Sequence, residues 1–302
     1  MYTVRMADSL SRRAWLAGAL GTVAFAARPK GVLVDTHVHL FDPEKFPYHP
    51  QATYKPPAST LESYLKVVKE AGINHAIIVH PEPYQDDHRY LEYCFEHEPS
   101  RGFFKGTCLF DPILPDTPAR IKALVKKLPN RIVALRIHET LAGHKPPTTF
   151  GPIRDRDLHD PAVKTTWKAA HDLGLAIQFN AIPRFAPAIG ELAAQFRDTP
   201  VILDHLGIPR AATVADYEQV LALAKLPRVY VKYSSATPEL KPTVRKLFDA
   251  FGADRLIWGG LGMTTADFDK QAALLDQIFD YASESDRAKI RGLNAMKLFQ
   301  LA

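Results

Sequence analysis

Short apolar runs alternate along this chain with longer stretches in which apolar residues return every three or four positions. The runs are Val32–His39, Ala76–His80, Phe103–Phe110, Ile132–His138, Leu175–Asn180, Val201–His205, Val229–Tyr233 and Leu256–Trp258. Their near-continuous hydrophobicity predicts strands buried on both faces, as in a parallel sheet. Between them, the spacing of Leu61, Tyr64, Leu65 and Val68 predicts a helix over Thr60–Ala71. The same periodicity predicts helices over Asp86–Glu98, Pro118–Leu128, Ala162–Leu173, Pro187–Phe196, Ala215–Ala224, Lys241–Phe251 and Phe268–Tyr281. Ser59, Asp116 and Thr213 stand where N-caps belong, and Gly72 and Gly174 where helices stop. Pro187 suits a first helical turn, where its missing N–H costs nothing.

Most strand starts lie 26 to 29 residues apart, the length of one β/α unit. Eight such units predict a single closed (β/α)8 (TIM) barrel over residues 28–302. An open doubly wound sheet would place a glycine-rich turn after its first strand, and Asp35-Thr36-His37-Val38-His39 stands there instead. The two longer intervals hold the loops Phe41–Pro57 and Leu141–Asp157, rich in proline. They follow strands 1 and 4 on the face where barrels build active sites, so they read as walls of a pocket.

Residues 1–27 break the pattern. Ser11-Arg12-Arg13-Ala14-Trp15-Leu16 leads into the uncharged run Leu16–Ala26, and Ala24-Phe25-Ala26 supplies small residues for cleavage. A charged start, a short apolar stretch and a small-x-small site predict a cleavable signal peptide. The paired arginines make it similar to a twin-arginine signal, which implies export to the periplasm. The run is too short to span a bilayer comfortably, which argues against a stable membrane anchor.

Composition changes this picture little. The 302 residues are 46% hydrophobic and 24% charged, enough for a sizeable core. Net charge is +5, and removing the leader, with Arg5, Arg12 and Arg13 against Asp8, leaves +3. No Lys/Arg run is interleaved with aromatics, which speaks against nucleic acid as a partner. Cys94 and Cys108 lack metal-ligand spacing and read as small buried residues.

Candidate chemistry gathers at the strand ends. Strict alternation along strand 1 places Asp35, His37 and His39 on one face. Two imidazoles so placed can hold a divalent metal such as zinc. Other strand ends offer His80 and Glu82, Asp111, then Arg136, His138 and Glu139, then Gln178 and Asn180, then Asp204 and His205, and finally Lys232 and Ser234. So many polar groups on one rim cost stability unless they serve a function. Arg136 and Lys232, with Arg184 as a helper and His138 and Asn180 beside them, suit a small anionic substrate. His205, or a carboxylate such as Glu82, suits a general base. Gly259-Gly260-Leu261-Gly262 reads as a tight turn in preference to a phosphate loop, because no basic residue follows Gly262.

The segments Val34-Asp35-Thr36-His37-Val38-His39-Leu40-Phe41, Val201-Ile202-Leu203-Asp204-His205-Leu206-Gly207 and Arg255-Leu256-Ile257-Trp258-Gly259 carry a resemblance. With them the chain resembles the amidohydrolase-2 branch of the amidohydrolase superfamily, and within it the 2-pyrone-4,6-dicarboxylate lactonase-like members. The resemblance implies a hydrolase whose strand-1 and strand-6 histidines line the reaction centre. It also implies an aspartate ending strand 8, as in Trp-Gly-Ser-Asp-x-Pro, and here Leu261 stands in that place. Strand 5 likewise offers Gln178 or Asn180 where the decarboxylase relatives have a histidine. Leucine neither ligates a metal nor accepts a proton. A zinc ion on His37 and His39, completed by Glu82, His138, Glu139 or Asp111, therefore stays open beside a metal-free site. Hydrolysis of a small carboxylated lactone or ester is the leading expectation. The alternatives are a non-hydrolytic lyase, decarboxylase-like, and a barrel that binds a small molecule without turnover.

Overall fold

The computed structural model describes residues 31–141, 145–262 and 264–301, so the leader expected over residues 1–27 lies outside the described residues. All eight strands form: β1 Val34–Val38, β2 His75–Ile78, β3 Phe104–Leu109, β4 Ile132–Glu139, β5 Ala176–Ala181, β6 Val201–Leu203, β7 Val229–Tyr233 and β8 Leu256–Trp258. Parallel pairings join them in chain order from β1 to β8. The Thr36 hydroxyl donates to the Trp258 carbonyl at 2.6 Å, and Gly260 N–H donates to Asp35 Oδ1 at 2.8 Å. These two bonds bridge the seam, and the sheet is a nearly closed barrel.

Helices α1 Leu61–Ala71, α2 Arg89–Glu96, α3 Thr117–Lys127, α4 Pro161–Asp172, α5 Ala186–Gln195, α6 Val214–Ala222, α7 Lys241–Phe251 and α8 Thr265–Ile278 each follow their strand. Thr60, not Ser59, caps α1 by accepting from Ser63 N–H, while Ser59 pairs with Phe41 across the first long loop. Thr213 and Asp216 form a reciprocal capping box on α6, and Gly72 ends α1 at φ +72°. A C-terminal helical stretch that the apolar pattern did not mark runs from α9 Glu284–Ala288 through a π-helical turn, Lys289–Leu293, into α10 Asn294–Phe299, and the π turn breaks the 3.6-residue period. Ala295 and Phe299 of α10 plug the lower end of the barrel against Val34, Ile77, Ala134, Ala176, Ile202 and Ile257.

Two local departures from regular strands matter for function. Between β1 and β2 the register runs Asp35↔Ala76 and then Val38↔Ile78, so β1 carries one extra residue, a bulge. And β6 stops at Leu203 instead of reaching His205, because the backbone turns left-handed: φ is +53° at His205, +60° at Leu206, +68° at Gly207 and +52° at Ile208. Such a run is sterically costly for residues with a Cβ and persists only where packing enforces it. Tyr217 of α6 supplies part of that enforcement, donating its hydroxyl to the Leu206 carbonyl at 2.7 Å.

Candidate active site

One step of strand alternation above the apolar plug, the barrel interior becomes polar. Ala134 is followed by Arg136 on β4, Ala176 by Gln178 on β5 and Tyr230 by Lys232 on β7, while Ile202 on β6 is followed by Asp204 just past the strand end. On β1 the bulge makes the step three residues, from Val34 to His37, and His39 follows on the same face. The expectation that Asp35 shares that face is overturned by the bulge. Asp35 turns outward, where Tyr64 of α1 donates to its Oδ2 at 2.9 Å and the N–H groups of His37 and Gly260 donate to its Oδ1. Burial raises its pKa above the ordinary carboxylate value.

Asp204 is the centre of the polar layer. Its Oδ2 accepts from Arg136 Nε and Nη2, at 3.3 and 3.1 Å, and from Gln178 Nε2 at 3.1 Å. Its Oδ1 faces His37 Nδ1 and Lys232 Nζ, each at 3.5 Å. Burial alone would lift the Asp204 pKa, but the charges of Lys232, His37 and Arg136 outweigh it and hold the carboxyl well below its usual range. Burial lowers Lys232 to about 8. On the sequence Asp204 is one polar strand end among many. Its inward parity with Ile202, and the need of two buried cations for a counter-ion, are the signals that single it out.

The histidines meet above this ion cluster. His37 and His39 bring their Nε2 atoms to 3.2 Å, and the rings of His37 and His205 lie 4.6 Å apart. His39 Nδ1 sits 2.7 Å from the Val79 carbonyl, which only accepts, so His39 keeps its proton there and presents a bare Nε2. His37 Nδ1 faces Asp204 Oδ1 without a hydrogen bond, so His37 either donates its Nε2–H to the bare His39 Nε2 or, as the other tautomer, turns a second lone pair to a shared cation. The spacing agrees with the ~3.3 Å between two ligands on a tetrahedral zinc with bonds of about 2.0–2.1 Å. His37, Asp204 and His205 form an overlapping set with ligand atoms within 4.8 Å of one another. The donor set therefore fits a divalent metal, held by His37 together with either His39 or the Asp204–His205 pair. Burial lowers His39 to about 3 and His205 to about 4, so both rings are neutral at neutral pH. His205 Nδ1 lies 2.9 Å from Ser234 Oγ and 3.1 Å from Ser235 Oγ.

The other sequence candidates lie around this cluster or on the loops above it. Glu82 is buried at the start of the second βα loop, accepting from Thr53 N–H and, at 2.8 Å, from Gln85 Nε2, so its carboxylate ties two loops together. His138 is buried on the inward face opposite Asn180 in the β4–β5 register. Glu139, one residue on, faces the other way. It accepts from Arg156 N–H, and burial pushes its pKa up to about 9. Asp111 is paired with Arg156 at 2.6 Å, and Arg184 lies over the Phe185 ring. The glycines after β8 serve packing: a Cβ on Gly259 would come within 2.6 Å of His37 Cβ, and one on Gly260 within 2.8 Å of Phe268. Leu261, at φ +53°, lines a cavity of about 520 Å³ together with His39 and the end of the first long loop.

Three comparisons bear on this site. The family model described as Amidohydrolase matches residues 34–301. The chain is 27% identical over 285 residues to a 4-sulfomuconolactone hydrolase of Hydrogenophaga intermedia, covering 88% of each. Among solved structures it superposes on a "probable 2-pyrone-4,6-dicarboxylic acid hydrolase" of Acinetobacter baumannii, crystallised with citric acid. That match has a TM-score of 0.69 and 19% identity, over 89% of this chain and 99% of that one. A Burkholderia multivorans amidohydrolase with bound zinc has the same fold, with a TM-score of 0.65 and 15% identity over 90% and 100% of the two chains.

Proposed function

The chain belongs to the amidohydrolase family, and from that premise we propose that it is a lactonase-like hydrolase that opens a small carboxylated lactone or ester with His205 as the base. The observation that carries the substrate class is the charge of the polar layer. Two buried cations, Arg136 and Lys232, face one carboxylate, Asp204, among neutral histidines, so the layer holds one uncompensated positive charge. A positive charge out of water is stabilised by an anion, and a substrate carboxylate supplies one. The relative that opens a sulfonated muconolactone supports a lactone bearing an anionic group.

In this reading the Ser234 hydroxyl accepts the Nδ1–H of His205, which leaves Nε2 free to take the proton of a water attacking the ester carbonyl. The neutral state of His205 at working pH makes that proton transfer possible. Arg136 and Lys232 hold the substrate carboxylate, with His138 and Asn180 on the adjoining wall. Asp204 keeps both cations in place. A divalent metal held by His37 and His39, the pairing that leaves His205 free as the base and Asp204 on its cations, would polarise the carbonyl as a Lewis acid. Export through the twin-arginine leader into the periplasm is part of the same proposal. No helix among the described residues is long and apolar enough to cross a membrane.

The test is a panel of carboxylated lactones assayed by acid release. Turnover is expected, and His205→Ala is expected to lower kcat by ~10²–10⁴-fold, the usual contribution of a general base. Turnover indifferent to that change would remove His205 from the role. Metal content of the purified protein, compared with a His37→Ala/His39→Ala variant, reads the metal directly.

A further inference from the structure

The cavity above His39 has a character that the ion cluster below does not share. It measures about 520 Å³, within the ~300–1,000 Å³ of small-molecule sites. Its walls are Phe41, Pro56, Pro57, Ala58 and Leu261 with the His39 ring at one side, two serines complete the lining, and among the described residues no charged side chain lines it. We propose that it is an apolar subsite for an uncharged aliphatic or aromatic substituent of the substrate. The substrate is then amphiphilic, with its carboxylate toward Arg136 and Lys232 and its hydrocarbon part against Leu261. This proposal rests on the hydrolytic reading of the site and narrows the substrate class.

Three observations carry it beyond the presence of apolar atoms. First, the wall is built in advance of any ligand. Phe41 and Ser59 exchange both backbone hydrogen bonds at 2.8 Å, and the Tyr48 hydroxyl donates to the Pro56 carbonyl at 2.8 Å, so the segment carrying the two prolines is pinned at both ends. A preformed apolar wall binds hydrocarbon without a cost of ordering the loop. Second, Leu261 holds a left-handed backbone at φ +53°, a region that asparagine and aspartate enter far more readily than a branched hydrocarbon. The strained backbone is held by the Gly260 N–H bond to Asp35 and by the close seating of Gly262 on Phe268, where a Cβ would meet the backbone at 2.9 Å. Third, His39 belongs to both regions. Its Nε2 meets His37 above the Asp204 cluster, and its ring lines the cavity. A molecule with its ester carbonyl at the histidines therefore meets the hydrocarbon wall on the side of His39.

A series of carboxylated five-membered lactones with alkyl chains growing from methyl to hexyl tests this on the full chain. Expected is a rise in kcat/KM of about three- to fourfold per methylene until the cavity is filled, the factor for removing one CH2 from water. Leu261→Asp should flatten that dependence, and Leu261→Met should keep it. Carbocyclic carboxylates with the same chains, which cannot be hydrolysed, are followed in parallel by thermal stabilisation of the protein. No dependence on chain length in either measurement, or an undiminished slope in Leu261→Asp, overturns the subsite. Chain-dependent stabilisation lost in Leu261→Asp, without turnover of any lactone, upholds the subsite and sinks the hydrolytic reading alone.

Discussion

The lower and upper halves of the barrel interior are built by the same strands, one side-chain step apart, and obey opposite physics. Below, Val34, Ile77, Ala134, Ala176, Ile202 and Ile257 close on α10 with no polar atom to satisfy. Above, Arg136, Gln178, Asp204 and Lys232 bury their charges and polar groups beneath the histidines. The lower layer stabilises by area removed from water, at roughly 25 cal/mol per Å². The upper layer holds together only while Asp204 stands between its two cations. The contrast locates the boundary between architecture and chemistry within one residue pair per strand.

The largest effect should come from removing the hub of the upper layer. Asp204→Ala leaves Arg136 and Lys232 buried without a counter-ion, and a loss of about 3–5 kcal/mol is expected together with loss of turnover. Ile202→Ala, two residues earlier on the same strand, leaves a cavity in the plug and should cost ~2–5 kcal/mol. The fraction that remains folded should keep its kcat. Denaturant titration paired with turnover per folded molecule separates the two cases. Equal loss of kcat in both variants would erase the division between the halves.

The lower half was far more legible in the sequence than the upper. Runs such as Val229–Tyr233, apolar but for Lys232, and Leu256–Trp258 match their strands residue for residue, because burial on both faces leaves little room for another pattern. The family was legible too, since Val34–Phe41 and Val201–Gly207 combine strand ends with histidines. What alternation could not show is where it fails. The bulge in β1 adds a residue and sends Asp35 outward, and the left-handed turn at His205 ends β6 two residues early. Both are backbone departures fixed by tertiary contacts, Tyr64 with Asp35 and Tyr217 with Leu206, which no local pattern records. Glu82 shows a related limit of the pattern: a buried carboxylate can bind loops together as well as take a proton, and its hydrogen bonds to Thr53 and Gln85 join two loops.

Acid should also tell the halves apart. Burial lowers His80 to about 4 from an ordinary 6.5, and its stacked neighbour His88, with ring centroids 4.4 Å apart, also lies well below the ordinary value. The unfolded chain binds these protons first as pH falls. Stability is therefore flat with respect to both groups above about pH 6.5 and declines as pH drops toward 4. The plug residues named above carry no ionisable side chain. Hydrogen exchange followed from pH 7 to 4 should lose protection around the ends of β2 and β3 before it is lost beside α10. Uniform loss across the barrel would mean that the two layers melt as one.

The smallest effect is expected where the two halves meet. Asp35 stands at the step that the bulge lengthens, and it looks from the sequence like a third member of the His37–His39 face. Its contacts assign it to the seam: Gly260 N–H after β8, His37 N–H on its own strand and the Tyr64 hydroxyl of α1. Asparagine can accept the same two backbone bonds through Oδ1, and the Tyr64 hydroxyl can turn to accept from Nδ2. Asp35→Asn should therefore cost on the order of 1 kcal/mol, the worth of one altered hydrogen bond, and leave the shape of the pH–rate profile unchanged. An aspartate acting in the chemistry would instead take the acidic limb of that profile with it, together with several orders of magnitude in kcat. The unchanged profile is the expected result, because a carboxylate on the outer face of β1 reaches the reaction only by holding His37 in register against Gly260.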